Sequence, residues 1–518
     1  EIDFATKTNS HGKDATVDHL IGWGLDHASN VQRAQIAQQL VDAALDKVRQ
    51  PLTVAVVAFF EKPLSPSTLM ALEIALLALV RQIGRQLLQS VLNACEPEGP
   101  HELPKDLWFE CDGYRRRNQK TANRHVASRF GQIVLMRRGY RSWQSGDGSI
   151  FPLEMLLGLN QSATPALVDW IGRHLAAAGS NQAAVIELLR GDCDVTMGVK
   201  RLRACARRLS ESMSEVRQKH QVEALLGALG EAVKSSGSRK PVLAVGRDGI
   251  TLRQHRHGFF EVATAATISV YDRSGKRLTT MYLAWPPELG QATMDRMLTD
   301  LIRELLERYQ GPLPCLAYVT DSGSNETSYY EQVLRRMGHP RTGKRLSWTR
   351  VADYVHASER IWAMAEALFG KGTQEASGWA TRMLKSLKKP SGASRVLHSA
   401  ASHFHRHQLS KTKAEEFWKA YRYIQSRTRH MRYSDYASAH IPLGSGVTEA
   451  ACKTIFTQRL KNSGMRWSHE GAKTILNLRT ILLSKTWSPT YAAYLENRYP
   501  SELRPYEKST RSEAKTAA

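Results

Sequence analysis

The chain has 518 residues, with 72 lysines and arginines against 49 acids and a formal net charge of +23. That length holds three or four ordinary domains, and a 42% hydrophobic content excludes a largely disordered basic tail. The charge excess points to a polyanionic partner, either nucleic acid or an anionic membrane surface.

In chain order, residues 16–50 carry helix-period apolar positions, and 52–60, after Pro51, is a short apolar segment of open type. Ser65-Pro66-Ser67 caps a long amphipathic helix over residues 68–95. Its most apolar stretch, 69–80, is interrupted by Glu73 and followed by Arg81 and Arg85. That makes it too short and too charged for a membrane span and suits a buried helix. Nothing near the first residues has the pattern of a secretory leader. A connector rich in Pro, Glu and Gly follows at 96–104, and alternation then predicts strands at 108–110, 125–129 and 132–141. Between the first two, Arg115, Arg116, Arg117 and Lys120 form either a basic tip for phosphate contacts or a solvated hairpin end.

Residues 163–235 read as successive helices with turns near Ser180-Asn181 and at 192–194. The pair 182–190 and 196–208 has helix-turn-helix proportions, and its second member carries Lys200, Arg201, Arg203, Arg207 and Arg208. The polar stretch 234–240 marks a domain boundary. Beyond it the pattern predicts strands at 241–252, 261–271 and 277–285, a helix at 293–309, a strand at 315–320, a helix at 326–337 and a strand at 348–354. In this α/β arrangement the first three strands can be hairpin-linked and the fourth arrives by a helical crossover. It is the strand order of the RNase H-like fold.

Residues 357–440 read as helical throughout, and 341–440 hold 19 lysines and arginines against 7 acids, net +12. A solvated helical face would mix both signs, so the imbalance argues for a nucleic-acid groove. Helices resume at 447–462 and 470–483, before a polar end from about 501. The expected fold class is α/β plus α. It comprises an N-terminal helical region (1–100), a small β region followed by helices (101–235), whose cations would suit DNA, and an RNase H-like core in two pieces (241–357 and 441–487). A basic helical insertion (358–440) interrupts that core, and a tail (488–518) closes the chain. The six cysteines are spread singly with no CxxC pair, which suits reduced thiols in a cytoplasmic protein and no zinc ribbon.

Two aspartates sit where strands of such a core deliver them. Asp248 lies inside an apolar strand, where a charge is costly unless paired or metal-bound. Asp321 ends the fourth strand, before Ser-Gly, where a turn-starting aspartate is the competing reading. A third acid, Glu449, follows Gly444-Ser445-Gly446 in the first turn of a helix. There it has either a catalytic role or only the support of the helix dipole and of Lys453 four residues on.

The run 441–453, Ile-Pro-Leu-Gly-Ser-Gly-Val-Thr-Glu-Ala-Ala-Cys-Lys, continues through Thr457-Gln458-Arg459-Leu460-Lys461 and Ser463-Gly464-Met465-Arg466-Trp467-Ser468. It resembles the C-terminal signature of ISKra-type transposases, DDE enzymes of bacterial insertion sequences. The likeness extends more loosely through Arg137-Arg138-Gly139-Tyr140, Phe151-Pro152-Leu153-Glu154 and Leu157-Gly158-Leu159 to the two aspartate strands. It implies a catalytic and metal-binding triad of Asp248, Asp321 and Glu449. The long gap before Glu449 is similar to relatives with a helical domain inserted before the last acid. Asp353-Tyr354-Val355-His356 resembles a D-x-x-H signature, which gives Asp353 and His356 a supporting role or makes them a hydrogen-bonded pair closing a strand. Many relatives carry a cysteine-bearing segment after Arg-Arg-Gly-Tyr; residues 141–150 have none, so no zinc is expected.

Three carboxylates suit Mg²⁺, with Mn²⁺ as a substitute. Two such ions roughly 3.5–4 Å apart can activate the attacking oxygen and stabilise the leaving one at a phosphodiester. The resemblance implies hydrolysis at the transposon end, then attack of the freed 3′-hydroxyl on target DNA. Partners would be double-stranded DNA, both terminal inverted repeats and target, and a second or further copy of the chain. Phosphate contacts are expected from Lys453, Arg459, Lys461 and Arg466 and from the basic insertion. The rival readings are a catalytically silent DNA-binding relative and an RNase H-like nuclease without strand transfer. A membrane-surface protein is set aside, because the basic charge is not gathered on one amphipathic helix.

Overall fold

The computed structural model describes residues 29–96, 114–116, 122–142, 149–177, 179, 181–253, 260–461 and 465–498. The chain divides into two units, one of Glu1–Ile171, Gln182–Cys205 and Leu495–Ala518, the other of Gly172–Asn181 and Ala206–Tyr494. The expected strand at 108–110 lies outside the described residues.

In the first unit, the helices Asn30–Phe60 and Pro66–Ala94 pack on one another, each opened by a capping box, Ser29 with Gln32 and Ser65 with Thr68. Pro51 sits inside the first helix, so the segment 52–60 continues the helix before it. The second helix corrects an expectation. It has no buried residue, and by length and composition it is apolar enough to cross a membrane. Its C-terminal end docks on a hairpin of β2 (Ala122–Ser128) and β3 (Gly131–Arg137), where Gln89 Oε1 and Asn93 Oδ1 accept the amides of Val134 and Met136, both at 2.8 Å. Val126, Ile133, Leu135, Leu153 and Leu159 form a small core there. Glu154, buried beside it, pairs with Arg137 and, at 3.0 Å, with Arg124.

Strand β1 (Tyr114–Arg116) pairs antiparallel with β4 (Tyr140–Ser142), which in turn pairs with β5 (Ser149–Ile150). Arg115 and Arg116 therefore lie in a paired strand and not at a hairpin tip; Arg117 lies outside the described residues. The helix-turn-helix reading also changes. Gln182–Cys193 is followed by a helix of 36 residues, Val199–Lys234, far longer than a recognition helix.

The second unit is built on a five-stranded mixed sheet. Strands β6 (Val242–Arg253), β7 (Phe260–Tyr271) and β8 (Arg277–Trp285) form an antiparallel meander, while β9 (Cys315–Thr320) and β10 (Trp348–Ala352) run parallel to β6, giving the order β10-β9-β6-β7-β8. Side chains alternate along the strands. Leu243, Val245, Leu316 and Tyr318 face one core with Val222, Leu225 and Leu229 of the helix Val199–Lys234 and the apolar face of the helix Ala292–Arg308. Val242, Ala244, Ala317 and Val319 face the other, with Ile361 and Met364 of the helix Tyr354–Phe369 and Phe417 of the helix Lys411–Arg427. The polar stretch 234–240 joins the long helix to β6, and both lie in the first of these cores. Insertion cations such as Lys371, Arg382, Lys385, Lys389 and Arg395 stay exposed around this apolar interior.

Candidate active site

Strand alternation places the first two acids. The parallel ladder of β6 and β9 ends with Gly246 opposite Val319; Asp248 and Asp321 each stand two residues further on, on the same face of the sheet. The third acid reaches that face on the short helix Gly446–Cys452, which rests on β6 and β7. Thr448 Oγ1 lies 2.8 Å from Thr267 Oγ1, and the hydroxyl of Thr448 occupies the space that a β-carbon on Gly246 would need. Only glycine at 246 lets the helix lie this close, which brings Glu449 beside the aspartates.

Electrostatics couple Asp248 to the other two acids. Burial pushes the Asp248 carboxyl above its ordinary range, and the nearby charges of Asp321 and Glu449 add to the shift. The Gly249 amide, 2.7 Å from Oδ1, and the Cys452 thiol donate to Asp248 and offset part of it. Burial and the charge of Asp248 push the Cys452 thiol up in turn, so it keeps its proton and serves as donor. Glu326, in the first turn of the helix Ser324–Gln332, is a fourth acid of this neighbourhood. It is buried, its Oε2 packs on Gly323, and burial with the charges of Asp321 and Asp248 raises its carboxyl.

Asp353 is fully buried and is the hub of the scaffold. Its Oδ1 caps the helix Tyr354–Phe369 through the amides of Val355 and His356, at 2.5 and 2.9 Å. Its Oδ2 accepts from the amide of Ser445 and, at 2.6 Å, from the Ser445 hydroxyl. That same hydroxyl lies 2.7 Å from Glu449 Oε1. Asp353 and His356 are thus hydrogen-bonded through the His356 amide, and Asp353 also clamps the Glu449 turn. His356 Nε2 stands 3.8 Å from Glu449 Oε1, and its Nδ1 lies 3.0 Å from Glu359. Burial works against the imidazolium, but Glu359, Asp353 and Glu449 outweigh it and raise the His356 pKa. From the insertion, Tyr423 donates to the carbonyl of Asp321 at 2.9 Å and Arg427 to that of Ser322 at 2.8 Å, with Arg427 stacked on the Tyr423 ring. Ser322 has a positive φ of 64°, so these donors hold a turn that its side chain disfavours.

The expected phosphate ligands separate into two groups. Lys453, four residues after the third acid, Lys461 and Arg466 are exposed, and Lys200 is exposed at the start of its helix. Arg459 is a correction. It is 1% exposed, donates to the Leu175 carbonyl at 2.9 Å and lies over the Trp467 ring, while burial and nearby Arg479 pull its pKa down to about 10. Arg201 is likewise turned inward, donating to the carbonyls of Gln161 and Ser162 at 2.8 and 2.7 Å, and Arg203 binds Gln182 Oε1 at 2.9 Å.

The donor set fits a hard divalent cation. All three acids offer oxygen, a cation would relieve the charge of Asp321 and Glu449 felt at Asp248, and the single Ser445 proton satisfies only one of the two carboxylates it touches. Among the described residues, no three Asp, Glu, His or Cys side chains already close on one point as a ligand cage. Sequence reasoning missed Glu326, Ser445, Tyr423 and Arg427. The Gly-Ser-Gly turn was the one signal that pointed to Ser445.

No known family model matches the chain. It is 25% identical over 386 residues to a "UPF0236 protein in vanSb 3'region" of Streptococcus gallolyticus, an alignment covering 73% of this chain and 76% of that protein.

Proposed function

We propose that this chain is a DDE transposase of the ISKra type with an RNase H-like catalytic core. The observation that carries the reading is the convergence of Asp248, Asp321 and Glu449, distant along the chain, on one face of the sheet, where each charge is felt at Asp248. The sheet order, with an antiparallel meander of three strands and two parallel strands added beside the first, supports the RNase H-like reading.

Asp248, Asp321 and Glu449 would hold Mg²⁺, or Mn²⁺ in its place. When bound, the ions supply charge stabilisation at the scissile phosphate and a nucleophilic oxygen at neutral pH. The chain's own residues do the positioning. Gly246 lets the Glu449 helix approach, Asp353 and Ser445 fix the turn before it, and Tyr423 and Arg427 fix the turn after Asp321. Lys453, Lys461, Arg466 and the insertion's exposed cations bind DNA phosphates, which makes affinity fall steeply with salt. The substrates are transposon-end and target DNA, in the cytoplasm, and the products are a freed 3′-hydroxyl and a joined strand.

The test is metal-dependent cleavage and joining of DNA carrying the element's own ends. Asp248→Asn, Asp321→Asn and Glu449→Gln should each lower cleavage by at least about 10³-fold while DNA binding survives. A variant that still cuts in Mg²⁺ refutes the triad. Cleavage without joined product marks a nuclease, and binding alone marks a catalytically silent relative.

A further inference from the structure

The helical pair Asn30–Phe60 and Pro66–Ala94 presents its apolar residues outward. Val54, Val57 and Phe60 on the first helix are 55%, 44% and 77% exposed, and Met70, Ile74 and Leu77 on the second are 61%, 58% and 51% exposed. The spacing is three residues on the first helix and four then three on the second, so each set forms a stripe along one face. Soluble monomers rarely leave contiguous apolar patches beyond a few hundred Å² uncovered. These six side chains, roughly half exposed or more, leave several hundred Å² of apolar surface, of the same order as the ~800 Å² that each partner gives a stable interface.

We propose that this face is a homodimer interface, in which two helical pairs close into a four-helix bundle. Two observations select a second copy as the occupant. Residues 50–80 hold one lysine and two glutamates in a chain of net charge +23, so here two copies meet without the repulsion they would feel elsewhere. A bilayer suits the pair poorly. On the first helix the charge-free stretch before Glu61 begins only after Arg49, about 16 Å of helix against a ~30 Å hydrocarbon core. The second is by length and composition apolar enough to cross, but its partner helix is not, and near the turn the single cation Lys62 offers little to anionic headgroups. A surface that covers itself by two-fold symmetry needs no other partner.

The experiment is the mass of the full chain by light scattering, without DNA or divalent metal, so that it is independent of the catalytic reading. Wild type should have twice the 58.1 kDa of the chain. Ile74→Glu with Leu77→Glu should give the monomer mass with unchanged helical circular dichroism, whereas Asp248→Asn should remain dimeric. The proposal is overturned by a monomeric wild type at micromolar concentration or by a dimer that survives the double substitution. Flotation of the wild type with anionic vesicles, abolished by the same substitution, would also overturn it by assigning the face to lipid.

Discussion

The acid-bearing face of the sheet and the N-terminal helical pair break the usual distribution of side chains in opposite directions. On the sheet, carboxylates sit half-buried among apolar strands, and Asp353 is fully buried; on the helical pair, Phe60, Ile74 and Leu77 stand in solvent. Each arrangement costs free energy in the isolated chain, the first by desolvating charge and the second by exposing hydrocarbon. Neither is a packing accident, because the supporting structure is specific. Asp353, Ser445 and Gly246 exist to hold the acids together, while two capping boxes make the exposed helices well formed. The difference teaches what each region lacks. The sheet face gathers carboxylates whose charge a cation would offset, and among the described residues the helical pair leaves its apolar side chains exposed.

The largest expected effect lies at Gly246. A β-carbon there meets the Thr448 hydroxyl, so Gly246→Ala should either displace the Glu449 helix or destabilise the fold by about 1–3 kcal/mol. Urea unfolding reads the second outcome, and loss of cleavage at unchanged stability reads the first. An unaffected variant would mean that the close approach is not what positions Glu449.

A smaller effect separates the cations that follow the third acid in the chain. Arg459→Ala removes the buried donor to Leu175 and should cost about 1–3 kcal/mol in stability, with little change in the salt dependence of DNA binding. Lys461→Ala and Arg466→Ala, both at exposed positions, should do the reverse, each lowering the slope of log K against log salt by about 1. Equal behaviour of the three would erase the distinction between internal and DNA-facing cations.

Much of this arrangement was legible from residues alone. The three strands after 241, the crossover helix and the parallel fourth strand follow from period and turn chemistry, and the strands in turn place Asp248 and Asp321. The sequence of the helix Pro66–Ala94 misled for a physical reason. An apolar helix is the same string whether its cover comes from its own chain or from elsewhere, so burial could not be read from composition. Arg459 and Arg201 misled similarly. A basic residue in a basic segment looks like a phosphate ligand until the carbonyl it satisfies, Leu175 or Gln161, arrives from a distant part of the chain. Glu326 and the Tyr423–Arg427 latch on the Asp321 turn depend on tertiary contacts that no local pattern encodes.

The central claim is that the grouped carboxylates await a divalent cation, and Mn²⁺ calorimetry against pH tests it most directly. Because the folded-state pKa of Asp248 is raised, the folded chain holds that proton more tightly than the unfolded chain. In the absence of metal this stabilises the fold at low pH, and the benefit is lost as pH rises through the interval from the unfolded to the folded value. A cation must displace that proton, so Mn²⁺ binding should weaken as pH falls through the raised range of Asp248, and Asp248→Asn should abolish the tight binding. Binding that is absent from the wild type, indifferent to pH or retained in Asp248→Asn would contradict the account.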